Sequence, residues 1–433
     1  MPLDLTKLLQ LIEEMPAYRR LVEDWPKLDR KTSVVVLDAA KPYLIAALHR
    51  RWHLPMLVVT AQPETGKKLY EQLLNWTSSE VKLFPEPDAL PYERLASDVS
   101  TELERVQVLS ALANCDTDKP NAAAPLIVAS APALMTKTTP YDDFAATCHT
   151  VRVGMEVEPL DLLSQWETMG YRMESMVEMP GTVSRRGGII DIYPPTSDLP
   201  ARLEFFGNTV DSIRLFDPAS QRSARAVSSL AISPATELLS PFLNQRAELE
   251  GVLNQIDLSG CTDEVRQQFQ QEKTMLLERQ KPRDMQFYAS LFNQDSLLNY
   301  LPPNALLVLD EPRSMAQAME ELDAEAEQLR LEKSERGELP HNFPRPYFTW
   351  QELVPAIEER RCLVLTAWSL DEESHRLDFT AAPSYAGQLP SFLEKIRQLL
   401  KQKQRLIIVS HQASRLSELL AEEDIIAAPL TEV

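Results

Sequence analysis

Residues 61–68 carry part of the pattern of a phosphate-binding loop, between a predicted strand and a predicted helix. A Walker A loop, G-x-x-x-x-G-K-[ST], directs backbone N–H groups at phosphates, and its Ser or Thr hydroxyl binds magnesium. Gly66 and Lys67 match this pattern, and four positions depart from it: Ala61, Pro63, Glu64 and Lys68. The Cβ of Ala61 restricts the loop backbone, and Pro63 has no N–H to direct at a phosphate. The Glu64 carboxylate repels phosphate, and the Lys68 ammonium has no lone pair with which to bind magnesium. We therefore predict an inactive remnant of a nucleotide site, with residual nucleotide binding as the alternative.

Two carboxylates, Asp310 and Glu311, follow the apolar run 305–309, where a nucleotide-hydrolysing motor has its Walker B acids. In such motors one acid holds Mg²⁺ and another group orients the attacking water. The alternative is a pair of solvated carboxylates at a strand end, since Pro312 and Arg313 follow directly. No arginine-finger motif and no second motor half are recognisable downstream. We therefore expect no catalytic residue, no cofactor and no metal site in this region.

Arginines at two places form the densest group of interaction-type residues in the sequence. Arg172 follows a Gly-Tyr pair, and Arg185 and Arg186 precede a Gly-Gly pair and the predicted strand 189–193. Guanidinium groups at a strand edge or turn suit bidentate pairing with carboxylates of another protein. Two alternatives remain, namely phosphate binding and a local salt-bridge network with Asp191, Glu204 and Asp211.

Short apolar runs alternate with helical patterns in the first 130 residues, which is typical of a parallel sheet covered by helices. The predicted strands are 33–37, 56–60, 81–84 and 126–129, the helices between them are 39–51, 67–76 and 101–112, and a helical lead spans 1–30. The same alternation returns later, with strands 305–309, 362–366 and 405–410 and helices 391–401 and 412–421.

Residues from about 150 to 232 predict a different, mainly antiparallel β module. Six of the 11 glycines lie between residues 154 and 207. Alternation of apolar and polar residues, typical of half-buried strands, occurs in three runs: 189–193, 201–206 and 210–216. Helical patterns resume over 242–280, and the acidic stretch 315–338 predicts a helix with a solvated face. A predicted linker follows at Pro340, Pro344 and Pro346.

The whole chain has 433 residues and a formal net charge of −20. Its length suits about three domains, and its 44% hydrophobic residues suit globular cores. The negative charge opposes nucleic-acid binding as the main task, because that binding neutralises phosphates with Lys and Arg. No apolar run is long enough to cross a bilayer, and the four cysteines have no C-x-x-C spacing. We therefore expect a cytoplasmic, reduced, metal-free protein that needs no more than a monomer.

An ordered series of segments resembles the N-terminal, UvrB-homology region of bacterial transcription–repair coupling factors, the Mfd family. The segments are FPEPDALPYER (84–94), GYR (170–172), RGGIIDIYP (186–194), RLEFFG (202–207), DSIRLFDP (211–218), and LLNYLP (297–302) through LDEP (309–312). The related repair protein UvrB has an intact phosphate loop, a damage-probing β-hairpin after it and a second motor half. This sequence leaves no room for that hairpin between Lys68 and Phe84.

The resemblance implies an α/β fold in three parts. Residues 1–147 and 233–345 would form one RecA-like parallel-sheet domain with a degenerate nucleotide site and no ATPase activity. Residues 148–232 would be an inserted, mainly antiparallel β module that binds UvrA, the damage-recognition ATPase. Residues 346–433 would form a small C-terminal α/β domain.

Matching the UvrB-like module residue by residue implies that Arg172 and Arg186 contact UvrA. UvrB has a further arginine two positions before the one that matches Arg186. This chain has Ser184 at that position, and the adjacent Arg185 is the candidate in its place. Tyr193 and Phe206 are our additions to this contact set, with core aromatic positions as the alternative.

Full-length members of the family continue into an RNA-polymerase-binding domain and an ATP-dependent DNA translocase, which this chain lacks. The resemblance therefore predicts a non-catalytic module that recruits UvrA to stalled transcription in nucleotide excision repair and contributes to autoinhibition of the translocase. RNA polymerase, DNA and ATP would be bound by the missing part. The alternative is a nucleotide-binding or DNA-binding repair subunit of the UvrB type.

Overall fold

The computed structural model describes residues 4–25, 31–95, 98–115, 124–239, 246–368, 374–410, 412–427 and 429. Its strands are β1 (Lys31–Val35), β2 (Met56–Thr60), β3 (Val81–Phe84), β4 (Leu126–Ser130), β5 (His149–Arg152), β6 (Arg172–Met173), β7 (Thr182–Arg186), β8 (Ile189–Tyr193), β9 (Ala201–Phe206), β10 (Thr209–Phe216), β11 (Ser223–Val227), β12 (Ser229–Ile232), β13 (Leu306–Asp310), β14 (Cys362–Thr366) and β15 (His375–Arg376). Within these described ranges, no helix is long and apolar enough to span a membrane.

Seven parallel strands form the larger sheet, in the order β15-β1-β14-β13-β2-β4-β3. In β2, β4 and β13 every residue is buried, as their sequences MLVVT, LIVAS and LLVLD require in a sheet covered on both faces. Alternate residues enter different cores, with Leu57, Val59 and Leu307 in one and Met56, Val58 and Leu306 in the other. The α/β fold class predicted from the sequence is confirmed.

Helices pack on both faces of this sheet, and helix Pro159–Thr168 packs against the second one. The longer ones are Pro16–Asp24, Lys41–Trp52, Pro63–Trp76, Val99–Ala113, Pro159–Thr168, Arg246–Asn254, Asp263–Leu277, Pro312–Glu335, Trp350–Glu358, Leu389–Lys401 and Ala413–Ala421. Shorter helices are Leu9–Ile12, Ala131–Met135, Tyr141–Thr147, Ala289–Phe292 and Leu297–Tyr300, with 3₁₀ turns at Thr6–Leu8, Asp38–Ala40 and Met285–Tyr288. The predicted acidic helix buries Met315 and Met319 on one face and exposes Glu320 and Glu321 on the other.

The β module has a six-stranded sheet in the order β11-β10-β9-β8-β7-β6. Its strands are antiparallel, except that β6 runs parallel to β7, and β5 pairs separately with β12. Inward side chains such as Ile190, Ile192 and Leu203 share a core with the fully buried Trp166 of helix Pro159–Thr168. The mainly antiparallel module predicted from the alternation is therefore confirmed.

A buried ion pair lies just after the module, where the chain returns to the larger domain, which we refer to as the body. Arg105, in helix Val99–Ala113, donates hydrogen bonds of 2.6 and 2.8 Å to the two carboxylate oxygens of Glu237. Its third nitrogen donates to the Pro85 carbonyl oxygen at 2.7 Å. Both charged side chains are almost fully enclosed, with 3% and 5% exposed, so this pair anchors the segment that follows the module to the body.

Residues 405–410, predicted as a strand, do not form one. Leu406, Ile407, Ile408 and Val409 are exposed, and no described strand pairs with them. The prediction is wrong because an apolar run becomes a strand only where a neighbouring backbone supplies hydrogen bonds. β1 also begins at Lys31, two residues before the predicted start.

The proline-containing stretch predicted as a linker packs against the body instead. The apolar side chains next to Pro340, Pro344 and Pro346 are buried in the core of the body. They are Leu339, Phe343 and Tyr347. The strand β14 lies between β1 and β13 in the larger sheet, although the division at residue 346 would assign it to the small C-terminal domain. That part of the division is corrected, and the other predicted domain limits stay predictions.

Candidate functional site

The segment that resembles a phosphate loop does not form a loop that holds an anion. β2 ends at Thr60, and helix Pro63–Trp76 begins three residues later, with Gln62 as its N-cap. The amide of Gly66 donates to the Gln62 carbonyl oxygen at 3.1 Å. An N–H that would face phosphate in a Walker A loop therefore closes the first helical turn. Lys67 lies inside the helix, four residues after its start, whereas the sequence predicted a start at that residue.

Gly66 has a packing role at this turn. It is buried, and a Cβ at this position would lie 3.0 Å from the hydroxyl oxygen of Thr60, so a larger residue would crowd the strand end. Lys67 and Lys68 are exposed, and Ala61 packs partly buried against the core of the body. The structure brings these residues to one strand-to-helix turn without arranging them around a ligand.

Asp310 and Glu311, at the end of β13, are held by an ammonium group of the chain itself. Lys41 Nζ lies 2.6 Å from Asp310 Oδ1, 3.2 Å from Glu311 Oε1 and 2.6 Å from Asp38 Oδ1. Glu311 Oε1 also accepts a 2.6 Å hydrogen bond from the Ala367 amide. Asp310 is 9% exposed, so the alternative of two solvated carboxylates is wrong for this residue. An internal cation stands beside the acids that would hold Mg²⁺ in a motor.

The pKa values in this cluster follow from its geometry. Burial lowers the pKa of Lys41, but the charge and hydrogen bond of Asp310, together with Asp38, outweigh that effect and raise it. Burial raises the pKa of Asp310, while Lys41 acts in the opposite direction. The described residues contain no group of three or more His, Cys, Asp or Glu side chains arranged to hold a metal.

The three arginines predicted to contact a partner have exposed side chains: Arg172, Arg185 and Arg186. An amino group of Arg186 donates to the Ser175 carbonyl oxygen at 2.6 Å, and Nε of Arg185 donates to the Gly187 carbonyl oxygen at 3.3 Å. Arg172 makes no side-chain hydrogen bond within the described part of the chain, and none of the three is paired there with a carboxylate.

Two carboxylates of the module, Asp191 and Glu204, are paired with other arginines. Asp191 accepts hydrogen bonds of 2.7 and 2.8 Å from Arg202, and Glu204 lies 3.7 Å from Arg214. Asp211 has no salt bridge among the described residues. The local salt-bridge network therefore exists without the three exposed arginines, and this alternative is wrong for them.

Four exposed residues come together where two hairpins turn, at one end of the module's sheet. Arg186 pairs with Ile189 across the first hairpin, and Ile189 pairs with Glu204 of β9, so these three side chains share one face of the sheet. Phe206 lies two residues after Glu204 and therefore points to the same face. Phe206 is 83% exposed, which excludes a core position for its ring. Arg185 occupies the same hairpin on the alternate face. We refer to Arg185, Arg186, Ile189 and Phe206 as the hairpin end.

Arg172 and Tyr193 lie at the opposite end of the same sheet. Both are register partners of Thr182, the first residue of β7, whereas Arg186 is its last. A five-residue strand is about 13 Å long, so this distance separates the two residues from the hairpin end. Tyr193 is half-buried, and its hydroxyl donates to the Asp198 carbonyl oxygen at 2.9 Å.

Exposed methionines beside these arginines were not predicted from the sequence. Met173, Met176 and Met179 are exposed by 47%, 43% and 54%. They belong to β6 and the loop after it, whose Ser175 carbonyl contacts Arg186. Arginine and methionine are enriched at protein interfaces. The signal in the sequence was compositional, namely three methionines within residues 173–179, since a loop has no periodicity to show which side chains face solvent.

Comparison with protein families gives a match within the β module. Residues 150–238 match the family described as the UvrB interaction domain. The match begins at the second residue of β5, extends past the end of β12, and includes Arg172, Tyr193 and the hairpin end.

The chain is similar to proteins named transcription-repair-coupling factor. It is 28% identical over 410 residues to that of Bacillus subtilis (strain 168), which covers 90% of this chain and 34% of the relative. It is 32% identical over 208 residues to that of Myxococcus xanthus, which covers 46% of this chain and 17% of the relative. It is 24% identical over 273 residues to that of Escherichia coli (strain K12), which covers 62% of this chain and 23% of the relative. The chain spans about a third or less of the length of these relatives. The resemblance to the N-terminal region of the coupling factors is thereby confirmed.

Proposed function

We propose that this chain is a non-catalytic, UvrB-like region of a transcription-repair coupling factor, and that its β module recruits UvrA for nucleotide excision repair in the bacterial cytoplasm. The family match supports this role for the module, because the family is described as the UvrB interaction domain. The name shared by the relatives supports the link to transcription and repair.

The observation that carries the proposal is the availability of the module's arginines. In a chain of net charge −20, Arg172, Arg185 and Arg186 are exposed and have no carboxylate partner within the described residues. Such guanidinium groups pair strongly with carboxylates of another protein. At the hairpin end Arg185 and Arg186 adjoin exposed Ile189 and Phe206, a combination of charge and apolar surface that is typical of the energetic centre of an interface.

The test is a calorimetric titration of the chain with UvrA, repeated with the double variant Arg172→Ala and Arg186→Ala. We expect the unchanged chain to bind with a micromolar or lower Kd. Loss of one central arginine costs about 2 kcal/mol, which weakens binding about 30-fold, so the double variant should show no binding at micromolar concentrations.

A matched control removes an arginine from the far edge of the same sheet. Arg225 is exposed on β11, the edge strand opposite β6, and Arg225→Ala should change the affinity by less than about twofold. Binding that survives the double change at Arg172 and Arg186 would place the interface elsewhere. Absence of binding by the unchanged chain would refute recruitment of UvrA.

The proposal includes the absence of nucleotide hydrolysis in this region. Two observations support it, namely the start of the helix at Pro63 and the ion pair of Lys41 with Asp310. ATP with Mg²⁺ should leave the midpoint of thermal unfolding unchanged. A rise in the midpoint that Lys67→Ala abolishes would favour a nucleotide-binding subunit. A steep dependence of DNA affinity on salt would favour a DNA-binding subunit.

We further propose that parts of the longer protein outside this chain bind RNA polymerase, translocate DNA with ATP, and cover the hairpin end in an autoinhibited state. The exposed ring of Phe206 supports such a cover, because contiguous exposed apolar surface marks a contact site. This chain should therefore bind UvrA more tightly than the longer protein does. Equal affinities would refute the autoinhibition.

A further inference from the structure

A cleft opens where the β module meets the body. Its cavity has a volume of about 190 Å³. The module contributes Gly170, Arg172 and Gly181 to its walls, and the body contributes the start of helix Val99–Ala113 together with residues 281–283, 285 and 286. The cleft therefore begins at the end of the sheet that is opposite the hairpin end.

The walls of this cleft are cationic, although the chain as a whole is acidic. Arg172, Lys281 and Arg283 line it, and Glu102 is the only carboxylate among the described lining residues. An excess of positive charge in a concave surface attracts a negatively charged group of a partner.

The one carboxylate of the cleft is already engaged within the chain. Glu102 Oε1 accepts a hydrogen bond from the Thr236 hydroxyl at 2.5 Å and one from the Glu237 amide at 3.4 Å. Desolvation in the cleft lowers the pKa of Lys281, the charge of Glu102 opposes this lowering, and the nearby charge of Arg172 adds to it. Lys281 therefore lies close enough to Arg172 for the two charges to repel each other, and its side chain still reaches solvent.

Two of the cations have no partner in the described part of the chain. Arg172 and Arg283 are exposed, and neither makes a salt bridge or a side-chain hydrogen bond there. Their guanidinium groups present planar sets of N–H donors, which match the two oxygens of a carboxylate.

We propose that this cleft receives an acidic side chain of UvrA, so that the interface extends from the module onto the body. The inference rests on the function proposed above. Arg172 comes from the module, whereas Lys281 and Arg283 come from the body. The isolated module would therefore lack two of the three cations, and the buried pair of Arg105 with Glu237 anchors the segment that follows the module close to the cleft.

A protein carboxylate fits this cleft better than the phosphates of DNA. Binding to a DNA backbone requires cations spread along the path of the strand. Here the loop beside the cleft carries exposed Glu174 and Glu178, which would repel neighbouring phosphates. One acidic side chain that projects from a folded partner enters the cleft without placing further negative charge near that loop.

The test reverses the two body charges of the cleft and leaves Arg172 and the hairpin end unchanged. The variant Lys281→Glu with Arg283→Glu should bind UvrA at least about tenfold more weakly in calorimetric titration. The control Lys401→Glu with Lys403→Glu makes the same change in net charge on exposed side chains elsewhere, and should stay within about twofold of the unchanged chain. Circular dichroism and the thermal unfolding midpoint check that both variants are folded.

The outcomes separate this inference from the proposed function. If the charge reversal leaves the affinity unchanged while the Arg172 and Arg186 double variant loses it, only the inference is overturned. If the unchanged chain does not bind UvrA, the proposed function falls and the inference with it. If a fluorescent DNA duplex binds in a salt-sensitive way and the charge reversal removes that binding, the cleft is a phosphate site and the carboxylate assignment is overturned.

Discussion

Replacement of Lys41 by methionine should reduce the free energy of unfolding by about 3–5 kcal/mol at pH 8. Its ammonium lies 2.6 Å from Asp310 and from Asp38 and 3.2 Å from Glu311, so three carboxylates would lose their shared counter-charge. Asp310 is 9% exposed and cannot recover its hydration without opening the structure. Removal of one partner from a buried pair leaves an uncompensated charge, which is the origin of the large loss.

The loss should depend on pH in a defined direction. Burial already raises the pKa of Asp310 and Lys41 opposes this rise, so the methionine variant should raise that pKa further. An acid with a raised pKa in the folded state stabilises the fold most at low pH and loses that contribution as pH rises through the folded pKa. The variant should therefore differ from the unchanged chain less at pH 5 than at pH 8. Addition of Asp310→Asn should recover much of the loss at pH 8.

The assay is urea denaturation followed by tryptophan fluorescence at both pH values. Arg336→Met is the matched control, because Arg336 and its partner Glu332 are both about half exposed, and its loss should stay below about 1 kcal/mol. A loss below about 1 kcal/mol for the Lys41 variant, or an equal loss at pH 5 and pH 8, would refute the reasoning.

Three further tests and one chemical probe address other parts of the structure. Arg105→Met should lower the free energy of unfolding by about 3–5 kcal/mol in urea titration, because Glu237 would stay buried without its counter-charge. In the same titration Phe206→Ser should change it by less than about 0.5 kcal/mol, because the ring is 83% exposed. Stability should decrease as pH falls below about 6.5, and His49→Gln should weaken that dependence, because burial lowers the pKa of His49 and disfavours its charged form in the folded state. The Cys362 thiol should resist a disulfide reagent at pH 8 until the chain is denatured, because burial raises its pKa to about 11.

The larger sheet was predictable because its strands are short, continuous apolar runs. The predicted runs 56–60 and 362–366 coincide with β2 and β14, since a strand buried on both faces has a nearly continuous apolar sequence. The run 405–410 has similar composition and forms no strand, because composition cannot show whether a partner strand is available.

The candidate site was predictable only in part. The substitutions within 61–68 indicated a lost phosphate site, but the ammonium of Lys41 beside Asp310 comes from 269 residues away, and local spacing carries no signal of such a contact. The outward position of Phe206 follows from alternation along β9, where Leu203 points inward and every second residue shares its side. The cations at 281 and 283 are close to Arg172 only through the docking of the module on the body.

The position of β14 has a consequence for how the chain is made. Among the described strands, β1 pairs with β14 and β15 alone, and the register joins Lys31 to Cys362 across 331 residues. A ribosome that adds about 5–20 residues per second needs about 17–66 s to produce this partner, and β1 stays unpaired during that time. Until then, the edge of β13 that will receive β14 is open as well. A shorter polypeptide that ends before residue 362 would keep both edges open, which predicts aggregation instead of a smaller folded domain.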